Sequence, residues 1–154
     1  MENTDRPNPR LLHSELTEKV IGIFFDVYNH LGFGFLESVY QNAMAIELSE
    51  AGLKVSCQPA INVWYKGHQI GQFRADLVVN DVLLLELKTA KTIEVAYSKQ
   101  TLNYLRATEI EVALILNFGP TPQFKRLYFE NIKKSARTAP ENSSRNPSDP
   151  SNPI

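Results

Sequence analysis

Residues 73–90 read FRADLVVNDVLLLELKTA, two apolar runs joined by a turn, and the second run is apolar until Glu86 and Lys88 interrupt it. This segment constrains the fold most. A strand covered on both faces is normally a continuous apolar run. Alternation assigns Leu83, Leu85 and Leu87 to one face and Val82, Leu84, Glu86 and Lys88 to the other. Both faces begin apolar, so packed layers are expected on both sides of the sheet, and charge placed there costs several kcal/mol unless it is compensated. Three compensations are open: the charges lie at an exposed strand end, they pair with each other, or a divalent cation takes Glu86 as ligand while Lys88 steadies negative charge beside it.

Asp76 lies ten residues before Glu86, in the preceding apolar run. Register decides whether the two carboxylates meet. A two-residue turn at Asn80 and Asp81 sets Asp76 opposite Leu85 and sends Glu86 to the other face. A three-residue loop or a bulge sets Asp76 across from Glu86, and a shared ion demands one of these.

The remaining chain supplies the layers. Leu12, Leu16, Val20, Ile23, Phe24, Val27 and Leu31 recur at helical spacing, with Gly32 as a stop. A second helix is expected over residues 36–51, with a core stripe of Leu36, Val39, Ala43 and Ile46 and an end at Gly52. Strands are expected over 54–58, 61–65, 69–79 and 82–89, with a turn at Lys66 and Gly67. A third helix over 92–107 and a buried strand over 111–117 follow, with an edge strand at 124–129. The order is ααββββαβ with one further β. The Ser-, Pro- and Asn-rich residues 135–154 cannot bury enough surface to offset chain entropy. The expected organisation is therefore a flexible segment at 1–10, a single domain at 11–134 and a disordered tail.

Composition narrows the function classes. A formal charge of −1 and 43% hydrophobic residues are ordinary for a soluble globular protein. Residues 86–137 carry nine Lys and Arg against five Asp and Glu, whereas residues 1–50 carry three against eight, so the second half is mildly basic. A single cysteine, Cys57, excludes an internal disulfide and a cysteine-built metal cage. The start, MENTDRPNPR, has no apolar core and no run approaches 18 apolar residues, so a cytoplasmic chain without a membrane partner is expected. His13, His30 and His68 have no ligand-like spacing, and no P-loop, G-x-S-x-G or H-E-x-x-H motif occurs.

The pattern D-x9-E-x-K on adjacent strands resembles the PD-(D/E)XK nuclease superfamily, and GFLESVY at 34–40 resembles the signature of the GxxExxY proteins grouped with it. HLGFGFLESVY, FRADLVV with LLLELK, QTLNYLRAT and LILNFG follow in the order of that family across 12–129. The resemblance implies an α/β, restriction endonuclease-like core, a central mixed β-sheet flanked by α-helices. It implies a metal-dependent nuclease acting on nucleic acid, DNA in the first instance, with Glu37, Asp76, Glu86 and Lys88 as catalytic residues. Mg²⁺ or Mn²⁺ would be held by Asp76, Glu86, Glu37 and the Leu87 backbone carbonyl. Gln100 and Tyr104 match the Q-x3-Y helix of RecB-type exonucleases, where the pair supports the site and contacts substrate. Tyr40 is a further supporting residue, three positions after Glu37 on the same helix face. Other readings stay open: Glu37 as a helix-dipole partner, Tyr40 as core, a catalytically silent nucleic-acid- or partner-binding module on this fold, or a subunit active only in a larger complex, with a homodimer or a partner protein as the candidate associations.

Overall fold

The computed structural model describes residues 8–134. The tail expected at 135–154 and residues 1–7 of the flexible segment expected at 1–10 lie outside them, and Pro9–Leu11 form one 3-10 turn. Helix α1 spans Ser14–Leu31 and stops where Gly32 adopts φ 70°, and α2 spans Glu37–Glu50. Strands β1 (Val55–Cys57), β2 (Ala60–Tyr65), β3 (His68–Arg74), β4 (Leu77–Val79) and β5 (Leu83–Lys88) follow. Helix α3 (Val95–Ala107) then leads to β6 (Val112–Phe118) and β7 (Pro122–Tyr128), the latter being the expected edge strand.

Five strands form a mixed sheet in the order β1-β4-β5-β6-β7, in which only the β5–β6 pair is parallel. A parallel pair needs a crossover, and α3 supplies it. The two faces of β5 divide as alternation requires. Leu83, Leu85 and Leu87 join the core beneath α1 and α2, with Phe24, Tyr40 and Met44. Leu84 joins Val78, Ala113, Ile115 and Leu105 on the face covered by α3. Glu86 and Lys88 therefore belong to the α3 face by strand alternation.

Two expectations are corrected. The single strand expected over 69–79 is two strands in different sheets: β3 pairs only with β2, and the chain breaks at Ala75 and Asp76 before β4 joins the main sheet. Gln58, at φ 48°, turns the chain ahead of Pro59, and its N–H bonds the Asp76 carbonyl at 2.9 Å. The β2–β3 ribbon thus leaves the sheet where both its strands are interrupted. The α2 stripe is also different. Its buried side chains are Tyr40, Met44 and Leu48, while Leu36 is 78% and Ile46 57% exposed. Leu36 precedes the helix in extended backbone, and the Tyr40 hydroxyl donates to the Gly32 carbonyl at 2.6 Å, which turns Tyr40 rather than Val39 inward.

Candidate functional site

The β4–β5 connection has three residues. Val79 pairs with Leu83 and Leu77 with Leu85, leaving Asn80, Asp81 and Val82 as the loop. Continued by one residue, this register sets Asp76 across from Glu86. Asn80 and Asp81 both hold left-handed backbone, φ 52° and 58°, and Val82 N–H bonds the Val79 carbonyl at 3.1 Å. Asn and Asp tolerate this conformation better than other non-glycine residues. The start of β1 fixes the turn: Lys54 N–H donates to Asn80 Oδ1 and Asn80 N–H to the Lys54 carbonyl, both at 2.9 Å.

The result is a carboxylate pair at the end of the hairpin. Leu87 N–H donates to Asp76 Oδ2 at 2.7 Å, and Asp76 N–H donates to Glu86 Oε1 at 3.3 Å. Each side chain is thus tied to the other strand's backbone. Glu86 is only 6% exposed. Burial, then the Asp76 charge, pushes its carboxyl up to about 8, against the opposing pull of the Asp76 N–H and of Lys88. The Asp76 carboxyl is also raised, chiefly by burial, against the Leu87 N–H and Lys88. Two acids held together in low dielectric resist ionising unless a cation joins them.

Lys88 faces this pair without being consumed by it. Its Nζ lies 4.6 Å from the centre of the Tyr97 ring, a cation–π contact, and among the described residues no ion pair joins it to Glu86. The mutual ion pair is thereby not the compensation this strand uses. Lys88 still acts on Asp76, Glu86 and Glu37 through space. Glu37 is exposed in the first turn of α2, and its carboxyl is raised by partial burial and by Asp76, with Lys88 opposing. Among the described residues no three His, Cys, Asp or Glu side chains converge closely enough to hold an ion, so Glu37 stands outside the immediate reach of the pair.

On α3, Tyr104 is half-buried, and the Glu86 and Asp76 charges, after burial, raise its hydroxyl while a hydrogen bond with Gln100 opposes them. Its ring stacks on Phe73 at 3.7 Å between centres. Gln100 and Tyr104 thus act as a pair beside the carboxylates. Tyr40 does not reach them as a substrate contact: fully buried, it stacks on Phe118 at 4.3 Å and accepts Phe35 N–H at 3.3 Å, so its support goes to the loop that presents Glu37.

Three contributors escape sequence reasoning. Tyr97 holds Lys88, but nothing in a nine-residue separation across a loop announces it. Asn117, level with Lys88 on the parallel strand and fully buried, receives Ala90 N–H at 2.9 Å and donates to its carbonyl at 2.8 Å, clamping the exit of β5. Gly119 lets that loop approach, since a Cβ there would stand 1.9 Å from the Ala90 oxygen. The signal available was a polar residue and a glycine closing an otherwise apolar strand, LILNFG.

The donor set suits a hard divalent cation. All its groups are oxygens, and Mg²⁺ commonly takes one or two carboxylates and keeps several waters, which two carboxylates short of a third ligand would require. A family model described as the PD-(D/E)XK nuclease superfamily matches residues 14–127. No curated protein matches. A crystal structure of SSO0001 is similar at 16% identity and a TM-score of 0.48, covering 79% of this chain and 62% of that one, so the chain spans less than two thirds of its length. The family match runs from the first turn of α1 to the penultimate residue of β7 and takes in both strands of the carboxylate hairpin. The chain belongs to the PD-(D/E)XK nuclease superfamily.

Proposed function

We propose that the protein is a divalent-metal-dependent phosphodiesterase acting on nucleic acid, DNA in the first instance. The observation that carries this reading is the three-residue register that sets the Asp76 and Glu86 carboxylates together at a buried strand end with Lys88 beside them. Asp76 and Glu86, with the Leu87 carbonyl, would hold Mg²⁺ or Mn²⁺, and Glu37 would reach the ion through water. When bound, the ion lowers the pKa of a coordinated water and neutralises charge on the scissile phosphate. Lys88 orients the attacking water and offsets the negative charge that grows on the phosphoryl oxygens. The Tyr97 ring keeps its ammonium directed without neutralising it. Tyr104, kept protonated by its raised pKa, donates a hydrogen bond to a phosphate oxygen, and Gln100 sets the direction of its hydroxyl. The GxxExxY assignment rests on GFLESVY at 34–40, where Tyr40 braces the glycine loop ahead of Glu37.

Incubation with labelled single- and double-stranded DNA and RNA in Mg²⁺, Mn²⁺ or EDTA tests the reading. Cleavage should require the divalent ion and fall by about a hundredfold or more in Asp76→Ala, Glu86→Ala and Lys88→Ala, with the fold kept by circular dichroism. Cleavage persisting in purified Asp76→Ala would defeat it.

A further inference from the structure

The candidate site handles a phosphate but leaves open what grips the rest of the substrate, since a chain of formal charge −1 has no overall attraction for a polyanion. The β2–β3 ribbon is the element the site chemistry does not use. Its two strands pair only with each other and with no strand of the main sheet. Lys66 and Gly67, at φ 47° and 77°, form the tight turn at its tip. Beyond Phe73, β3 is exposed along its whole length, with Ile70 64% and Tyr65 on β2 58% exposed.

Charge on this arm is one-signed. The chain contains 17 Asp and Glu, yet none falls between Ala51 and Ala75; Lys54, ahead of the ribbon, pairs with Asp81 at 2.7 Å, and the ribbon itself carries Lys66, His68 and Arg74. Register then sorts the ribbon's faces. Ile61 pairs with Phe73 and Val63 with Gly71, and this face turns to α3, where Phe73 stacks on Tyr104. Asn62 pairs with Gln72 on the opposite face, and past the bulge at Val63 and Trp64 the pair Trp64 and Gln69 joins them. Gln72 and Gln69, both exposed, donate to Oδ1 of the half-buried Asn62, at 2.9 and 3.3 Å, which fixes three amides in one row. Fixed amides, one aromatic and flanking cations without a carboxylate match the edges and phosphates of a nucleic-acid groove. The arm is also continuous with the site, because β3 runs through Ala75 directly into Asp76.

From this geometry we infer that the β2–β3 ribbon is a substrate arm that lies along a groove of duplex DNA and delivers its backbone to Asp76 and Glu86. A two-stranded ribbon fits a major groove about 12 Å wide. The inference deepens the nuclease reading and rests on it for the identity of the ligand. It places binding and chemistry on separate residues: Lys66, His68 and the amide row grip, while the hairpin end reacts.

Fluorescence anisotropy with a labelled duplex in EDTA, over a series of salt concentrations, measures the grip without hydrolysis. Lys66→Glu with His68→Glu should weaken duplex binding about tenfold or more and make the log–log salt dependence shallower by about one for each phosphate that no longer meets a cation, with an unchanged melting temperature. Lys19→Glu with His30→Glu, both on α1 across the sheet, changes the formal charge by the same amount, is the control for net charge and should leave affinity within about twofold. Equal effects of the ribbon pair and the control, no effect of either, absence of binding by the unaltered protein, or preference for single strands or RNA over duplex DNA would each overturn the inference. So would sedimentation showing that the ribbon substitutions dissolve a dimer while leaving affinity per chain unchanged. Duplex binding without divalent-dependent cleavage leaves the arm standing and removes the nuclease reading; cleavage by a ribbon variant of unaltered affinity does the reverse.

Discussion

Glu86 is the residue on which most depends. Its folded pKa lies above the ordinary carboxylate value, so in the protein without metal the stability this group contributes is fully present below about 4.5, where folded and unfolded forms are both protonated, and is lost as pH rises through about 8. The loss is on the order of a few kcal/mol, shared with Asp76. Glu86→Gln should therefore flatten the melting temperature between pH 5 and pH 9, and a thermal melt series in EDTA checks it; a parent curve already flat would contradict the burial described for this carboxyl. Divalent affinity should move oppositely to stability, rising up to about tenfold per pH unit towards pH 8 because binding displaces a proton. Lys88 behaves differently. A cation over an aromatic ring contributes little to stability, about 1 kcal/mol, so Lys88→Met should melt close to the parent while losing turnover, which separates a catalytic from a structural ammonium.

At the scale of elements, the hairpin and its clamp decide whether these residues meet. Deleting Leu84 from within β5 would keep the loop but slide Glu86 to a position opposite Leu77 and so to the other face, and that variant should lose divalent binding along with several kcal/mol of stability. Gly119→Ala should be worse than a helix-surface substitution, by about 2 kcal/mol or more in urea unfolding, because the new methyl meets backbone and not a yielding side chain. Alternation in LLLELK was legible because a strand has a fixed period of two, and so was the demand for an odd loop. The loop length itself was not, since it depends on Asn80 accepting left-handed backbone and on Lys54 arriving from another strand to hold it. The α2 stripe misled for a related reason: spacing alone permits several apolar faces, and the hydroxyl of Tyr40 on Gly32 selected the one that is buried. The split of 69–79 was hidden because a strand changing sheets leaves no break in its own apolar run.

For the whole molecule, the sheet separates two kinds of work. Its α1–α2 face is a continuous apolar core, whereas the α3 face carries Glu86, Lys88, Tyr97 and Tyr104 at one end and the ribbon beside them. The three-layer architecture was legible in the sequence; the placement of an acid-free arm against α3 was not, because it is set by packing between segments distant in sequence. Among the described residues no helix is long and apolar enough to cross a membrane. An ion bound only by the folded chain stabilises it by mass action, so Mg²⁺ at a hundred times its dissociation constant should add about 2.7 kcal/mol and raise the melting point by several degrees, reversibly with EDTA.

Calorimetric titration with Mn²⁺ at pH 8 decides whether a doubly charged ion completes Asp76 and Glu86. One ion per chain is expected in the parent, with at least a tenfold weaker site in Asp76→Asn and in Glu86→Gln. Unchanged affinity in the Asp76→Asn, Glu86→Gln double variant would contradict it.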